Sequence, residues 1–267
     1  MFLREKFIPK HEANKMQHEG DVERARKMFY LSNRSGNLYF LLKNRYNWMN
    51  KYIDKLDFGL EVGAGTGISK EFIQSEKYKI SDFSNFEYLD FNNIDALNTG
   101  FESNKFDFVI SSNMIHHVPY PILFLEEMNR ILKPGGKLII QEINGSFFMR
   151  ILLKIMNHEG YNYEVDVFDK NQICTDPNDL WSANCVIPNL LFDDKRKFES
   201  QIKDFQILHQ SHSEFFNFIN SGGVIAKTKH IPLPNILLRL IKNIDNSLAK
   251  IAPNIFALQR QIVLVKL

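Results

Sequence analysis

Glu61, Gly63, Gly65 and Gly67 carry the first chemical signal in the chain, standing at every second position of Glu61-Val62-Gly63-Ala64-Gly65-Thr66-Gly67. The apolar run Phe58-Gly59-Leu60 precedes them and Ile68-Ser69-Lys70-Glu71-Phe72-Ile73 follows. A buried strand, a glycine turn and the start of a helix make the ligand corner of a doubly wound α/β fold, where a tight turn lets a ligand approach the backbone. Counting from Gly63, the sixth position is Ile68, so the G-x-G-x-x-G spacing of dinucleotide sites fails. The short strand that follows ends in Asp82, where an acid can accept from ribose hydroxyls; Asp90, a little further on, is its rival. The apolar run Phe106–Ser112 leads into Asn113-Met114-Ile115-His116-His117. Residues at the C-terminal ends of parallel strands line the ligand crevice, which puts Asn113, Met114 and both histidines beside the ligand. A histidine titrating near neutrality is a credible general base. His117, His116 and then Glu142, at the end of Lys137–Ile143, are the catalytic candidates.

The elements that must hold these residues follow from periodicity. Apolar and aromatic residues recur at near-helical spacing between Glu19 and Ile53, predicting two or three amphipathic helices ahead of the sheet. Phe86–Phe91 reads as a third strand so close to the second that the joining helix must be missing or reduced to a turn. Ile122–Leu132 reads as an amphipathic helix, which Lys133-Pro134-Gly135-Gly136 ends sharply before the fifth strand. Ser146–Met156 reads as a helix, Phe205–His209 as the sixth strand and Gln261–Leu267 as the last. Between those two strands lies an amphipathic helix over residues 236–251 carrying Arg239, Lys242 and Lys250, read as a lid, with a peripheral membrane contact as the alternative. His209 and His212 are three apart and fall on opposite faces of a strand, so no metal set is assigned.

The glycine loop, the strand-end acid Asp82, the pair Asp95-Ala96 ahead of Lys105-Phe106-Asp107, and Arg130-Ile131-Leu132-Lys133-Pro134-Gly135-Gly136-Lys137-Leu138 together resemble the class I S-adenosylmethionine-dependent methyltransferases of the type 11 kind. The resemblance covers residues 58–143. It implies a Rossmann-like, seven-stranded methyltransferase sheet with N-terminal helices and a C-terminal helical cap. It further implies S-adenosylmethionine as cofactor, with Glu61, Gly63, Ala64, Gly65 and Gly67 at its methionine end. Asp82 would take the ribose, Asp95 and Ala96 the adenine, and Asn113 and Met114 the methionine part. The same family places substrate-recognition elements after the fifth strand, which makes His158, Glu159, Trp181 and Asn184 the substrate candidates. Four stretches follow: N-terminal helices over 1–56, a cofactor core over 57–145, a substrate insert over 146–203, and the last two strands with their cap over 204–267.

Composition bounds the rest. The chain has 267 residues and a formal net charge of only +2, which gives no basic footprint for nucleic acid. Cys174 and Cys185 are too few for a disulfide framework, and their spacing matches no zinc motif. The N-terminus lacks the apolar core of a signal peptide, and no uncharged apolar run reaches the ~20 residues that span a bilayer, so a cytoplasmic protein is expected. The expected reaction is methyl transfer to a small-molecule, glycan or lipid-linked acceptor, at oxygen. The alternatives are a non-catalytic binding protein on the same fold and a Rossmann NAD(P) oxidoreductase.

Overall fold

The computed structural model describes residues 6–9, 21–31, 35–157, 159–224 and 228–267. A short strand β1 (Lys6–Phe7) precedes helices α1 (Asp21–Tyr30) and α2 (Gly36–Asn47). Val22, Ala25 and Phe29 recur along one face of α1 and are buried, as helical spacing requires. Ser35 caps α2 by accepting from the Leu38 amide. Then come β2 (Phe58–Val62), a single 3-10 turn at Ile68–Glu71, β3 (Lys77–Ile80), β4 (Phe106–Ser112) and a second 3-10 turn at Ile115–His117. Helix α3 (Pro121–Ile131) begins on a proline, which suits the first helical position, and hands directly to β5 (Leu132–Ile143). Next are α4 (Phe147–Met156), β6 (Tyr161–Asn162), α5 (Ile187–Phe192), α6 (Lys195–Gln201) and β7 (Phe205–Ser213). The chain continues through α7 (Phe216–Ile219), α8 (Asn235–Ile251), α9 (Pro253–Phe256) and β8 (Gln259–Lys266).

Among the described residues the main sheet has six strands in the order β3-β2-β4-β5-β8-β7. β3, β2, β4 and β5 are parallel, and β8 runs antiparallel to both of its neighbours. Strand alternation divides the core between two faces. Leu60, Val62, Val109, Leu138, Ile140 and Leu264 pack with α3 and α5 on one side. Ile80, Phe108, Ile110, Ile139 and Val263 pack with Phe29, Leu42, Tyr46 and Met49 on the other. The first of these clusters also takes in Val167, Ile187 and Phe205, so the core, the insert and the closing strands share one interior. β1 and β6 pair separately as a two-stranded antiparallel ribbon.

Two expectations are corrected. Among the described residues the sheet has six strands because Phe86–Phe91 is not one of them; its one ladder bridge pairs Phe91 with Ser81, just past the end of β3. The Asp90 carboxylate accepts from the Ile80 amide at 2.9 Å, while the Asp90 and Phe91 amides both donate to the Ile80 carbonyl. A side chain therefore closes the sheet edge where a ladder was expected. The helix expected after the glycine loop is one 3-10 turn, because β3 begins at Lys77 and leaves too little chain for a full crossover helix. Along β7 a bulge separates Ile207 from His209. His209 lies 6.0 Å from the Trp48 ring, while burial first and Arg260 second push the His212 pKa down to about 4.

Candidate active site

The C-terminal ends of β2, β3 and β4 open into a cavity of about 1050 Å³, at the upper end of the range of small-molecule pockets. The chain turns one way from β2 to β3 and the other way to β4, so the cavity lies at the switch point of the sheet. Gly63, Ala64, Gly65 and Thr66 form one wall. Gly63 (φ +67°) has no room for a side chain, since a Cβ there would lie 2.4 Å from Met114 Cγ. Gly65 (φ +48°) differs: a Cβ there would meet nothing within 4 Å, because the space beside it is the cavity.

Three side chains hold this loop. Asp82 accepts from the Gly65 amide through Oδ2 and from the Ser84 amide through Oδ1, each at 2.8 Å. A carboxylate has about four acceptor positions, so Asp82 can serve the loop and still accept from a ligand hydroxyl. The Tyr88 hydroxyl donates to the Gly65 carbonyl at 2.8 Å. Arg26 donates to the Thr66 carbonyl at 2.7 Å, with its guanidinium 3.9 Å over the Tyr88 ring. Helix α1 is thereby fastened to the loop by a hydrogen bond and a cation–π contact.

Asp95 and Ala96 also line the cavity. The Asp95 carboxylate accepts from the Leu97 amide at 2.8 Å, the turn geometry usual for aspartate. Asp90 lies off the cavity, 2.7 Å from Lys70 and 3.2 Å from Lys79. Burial opposes its charge, but Lys70 and the Ile80 amide outweigh that and hold the carboxyl below its usual range.

At the far wall His116 and His117 are set between two carboxylates. Glu142 is fully buried and accepts from the Ile115 amide at 2.6 Å, the Ile143 amide at 2.8 Å and His116 Nδ1 at 2.7 Å. His116 Nε2 and His117 Nε2 each lie 3.7 Å from an oxygen of Glu159. The donor atoms of His116, His117 and Glu159 fall within 4.8 Å of one another. Burial alone would lower the His116 pKa, yet Glu142 and Glu159 prevail and push it up to about 10. His117 moves the other way, down to about 4, through burial first and the neighbouring His116 charge second. One imidazolium and one neutral imidazole therefore stand side by side, with ring centroids 4.2 Å apart. The Ser182 carbonyl lies 3.0 Å from His117 Nδ1 and can only accept, which puts the proton on Nδ1 and leaves a lone pair on Nε2.

The loop after β6 is laced to this wall. Thr175 Oγ1 donates to the His117 carbonyl, the Cys174 amide to the Pro119 carbonyl and the Asn184 amide to the His116 carbonyl, all at 2.8–2.9 Å. Trp181 meets the His117 ring edge-on at 6.3 Å.

The sequence-derived candidates separate accordingly. Gly63, Ala64, Gly65, Asp82, Asp95, Ala96, Asn113, Met114, His116, His117, Glu159 and Trp181 all line the cavity. Four do not. Glu61 turns beneath the loop, where its carboxylate accepts from Ser69 Oγ and from the Tyr78 hydroxyl. Gly67 is backed by Ile80 and Tyr88. Glu142 lies behind His116, its acceptor positions taken up by the chain. Asn184 exchanges bonds with the Asn162 backbone at 2.8 and 3.0 Å. His158 lies outside the described residues. Sequence reasoning missed Arg26 and Tyr88, and also the apolar wall from α4 (Met149, Leu152, Leu153, Met156) and α7 (Phe218, Ile219). The three- and four-residue spacings of Met149, Leu152, Leu153 and Met156 mark a helix face, but periodicity does not tell a cavity wall from a packed core.

Residues 56–140 match the sequence model of a family described as a methyltransferase domain. Among curated proteins, the demethylmenaquinone methyltransferase of Staphylococcus saprophyticus is 35% identical over 78 residues, 29% of this chain and 32% of that protein. Methyltransferase calH of Penicillium decumbens is 36% identical over 81 residues, 30% of this chain and 22% of that protein. The highly reducing polyketide synthase aurA of Calcarisporium arbuscula is 26% identical over 163 residues, 52% of this chain but 6% of that protein. The chain thus spans a third or less of the length of each of these relatives. Among solved structures, a SAM-dependent methyltransferase from Archaeoglobus fulgidus aligns with 85% of this chain and 93% of its own at 17% identity and a TM-score of 0.48. The trans-methyltransferase CalH in complex with SAH aligns with 92% of this chain and 64% of its own at 14% identity and a TM-score of 0.46.

Proposed function

We propose that this chain, which carries a class I S-adenosylmethionine-dependent methyltransferase domain over residues 56–140, transfers a methyl group to a protic oxygen on a small, largely apolar acceptor. The observation that carries this reading is one cavity with a nucleotide-type wall at one end and a neutral, oriented histidine at the other.

The wall fits the cofactor. The open space beside Gly65 admits a group against the backbone, and the Asp82 carboxylate stands at that space with acceptor capacity for two hydroxyls. Gly63, Ala64 and Gly65 would pass the methionine end, Asp82 the ribose, Asp95 and Ala96 the adenine, and Asn113 and Met114 the methionine part. When bound, S-adenosylmethionine supplies a methyl group already activated on a sulfonium. The protein is left to align the acceptor, exclude water and take a proton. His117 Nε2 takes the acceptor's hydroxyl proton as the oxygen gains the methyl. Ser182 fixes the tautomer and Trp181 the ring edge. Glu142 is a positioning residue: it holds His116 as the cation that, after the burial of His117 itself, helps keep His117 unprotonated. The aliphatic and aromatic residues of α4 and α7 on the remaining wall favour an apolar or lipid-linked acceptor over a bare glycan. The charged cluster on the wall of His116 and His117 favours an enzyme over a binding protein.

Titration calorimetry tests the cofactor half directly. The intact chain should bind S-adenosylmethionine. Asp82→Asn should weaken it by about 10- to 100-fold, the loss expected for hydrogen bonds to a charged group. Gly65→Arg, which fills the open space, should abolish it. Absence of binding to the unaltered chain would overturn the reading.

A further inference from the structure

Helix α8 is packed by the wrong side for a simple lid. Its buried residues are Leu238, Asp245 and Ala249, and one of these three is an acid. The Asp245 carboxylate accepts from the Phe216 and Asn217 amides at 2.9 and 3.0 Å, so this seam is a polar anchor onto α7. Other apolar residues of the helix are exposed. Ile236 is 69% exposed, Leu240 55%, Ile244 50% and Ile251 81%. At about 100° per residue these four fall within one arc of roughly 80°, displaced by roughly 120–160° from the buried seam, with the exposed Ser247 between Ile244 and Ile251.

The charges on this helix point the same way. Its one acid is buried in the seam, while Arg239 and Lys250 are exposed. By the same helical geometry both basic residues lie on one flank of the helix, between the stripe and the seam. Neighbouring elements extend the apolar exposure. α9 packs against both α8 and α4; Ile255 of α9 is 38% exposed and Ile155 of α4 is 75% exposed. An exposed apolar stripe with a basic border matches the pattern of helices that lie in the interface of an anionic bilayer, apolar side down and cations at the headgroups. An antiparallel second copy of the chain fits less well, since that stripe-to-stripe contact brings like charges of both copies to the same border. No helix among the described residues is long and apolar enough to cross a membrane, so the contact is with the surface.

We propose that the Ile236–Leu240–Ile244–Ile251 stripe of α8, with Arg239 and Lys250 beside it, docks this protein on an anionic lipid surface. The stripe is outside the cavity, so docking and cofactor binding are separable.

Co-sedimentation of the full chain with vesicles tests this. Vesicles of phosphatidylglycerol and phosphatidylcholine should carry the protein down, and vesicles of phosphatidylcholine alone should carry down much less. Leu240→Ser with Ile244→Ser should weaken binding to the anionic vesicles by about tenfold or more, as expected from the lost apolar burial. Arg239→Gln with Lys250→Gln should weaken it on anionic vesicles only. Both variants should bind S-adenosylmethionine with parental affinity, which reports that they are folded. Should the serine pair fail that check, the glutamine pair and the lipid selectivity of the parent chain decide. The proposal is overturned if the parent chain ignores both vesicle types, if the folded serine variant binds as the parent does, or if ultracentrifugation shows a dimer that the serine variant abolishes.

Discussion

His116 and His117 are adjacent in sequence, and their surroundings drive them to opposite protonation states. His116 is pressed between Glu142 and Glu159 and keeps its proton to about pH 10; His117, buried beside that cation, gives up its proton by about pH 4. A base must be unprotonated to act, so activity should fall only as pH drops through about 4, well below the ordinary histidine value of 6.5. Glu142→Gln removes the larger of the two carboxylate influences that keep His116 charged, so the acid limb of the kcat/KM profile should move up from about 4 only part of the way toward 6.5, because the burial of His117 remains. His117→Asn should lower kcat by about 10²- to 10⁴-fold. A parent profile with its acid limb already near 6.5, unmoved by Glu142→Gln, contradicts the assignment. The sequence made the residue types at these strand ends legible but not their directions. Glu61 illustrates this, since adjacent strand residues point to opposite faces and the spacing to Gly63 does not tell which face the acid takes.

Among the elements, those with strong periodicity and strong punctuation were legible. α3 and β5 lie almost where the apolar spacing and Lys133-Pro134-Gly135-Gly136 put them, because a helix face and a proline stop are local signals. Phe86–Phe91 has a strand-like composition, but its place is decided by the Asp90 carboxylate on the Ile80 amide, a contact local pattern does not encode. Glu61 couples three elements in the same non-local way, joining β2 to Ser69 of the 3-10 turn and Tyr78 of β3. Burial pushes its carboxyl up to about 7, against the pull of those two hydroxyls. A raised carboxyl contributes stability in its neutral form, present in full below its unfolded value and lost as pH rises through about 7. Glu61→Gln keeps an acceptor for both hydroxyls and has no charge to bury. Its melting temperature should match the parent near pH 5 and exceed it at pH 8, by a stability difference of roughly 3 kcal/mol at most.

At the scale of the molecule, a buried ion pair ties helix α2 to the far edge of the sheet. Arg45 of α2 donates to both carboxylate oxygens of Glu214, just after β7, at 2.8–3.1 Å. Arg45→Met should cost about 3–5 kcal/mol in denaturant unfolding, since it strands a buried carboxylate, and Arg45→Met with Glu214→Gln should recover most of that. No sequence signal announces this pair, because its members come from distant helices and strands. The closing sheet order has a similarly non-local origin, and it has a consequence for synthesis. β8 lies between β5 and β7, so β7 emerges from a ribosome with neither edge paired. At about 5–20 residues per second, Gln259 follows Ser213 by roughly 2 to 9 seconds, an interval that also sees the exposed apolar stripe of α8 emerge. An unpaired strand beside an uncovered apolar helix is the nascent species most open to capture by a chaperone, a neighbouring chain or a lipid surface.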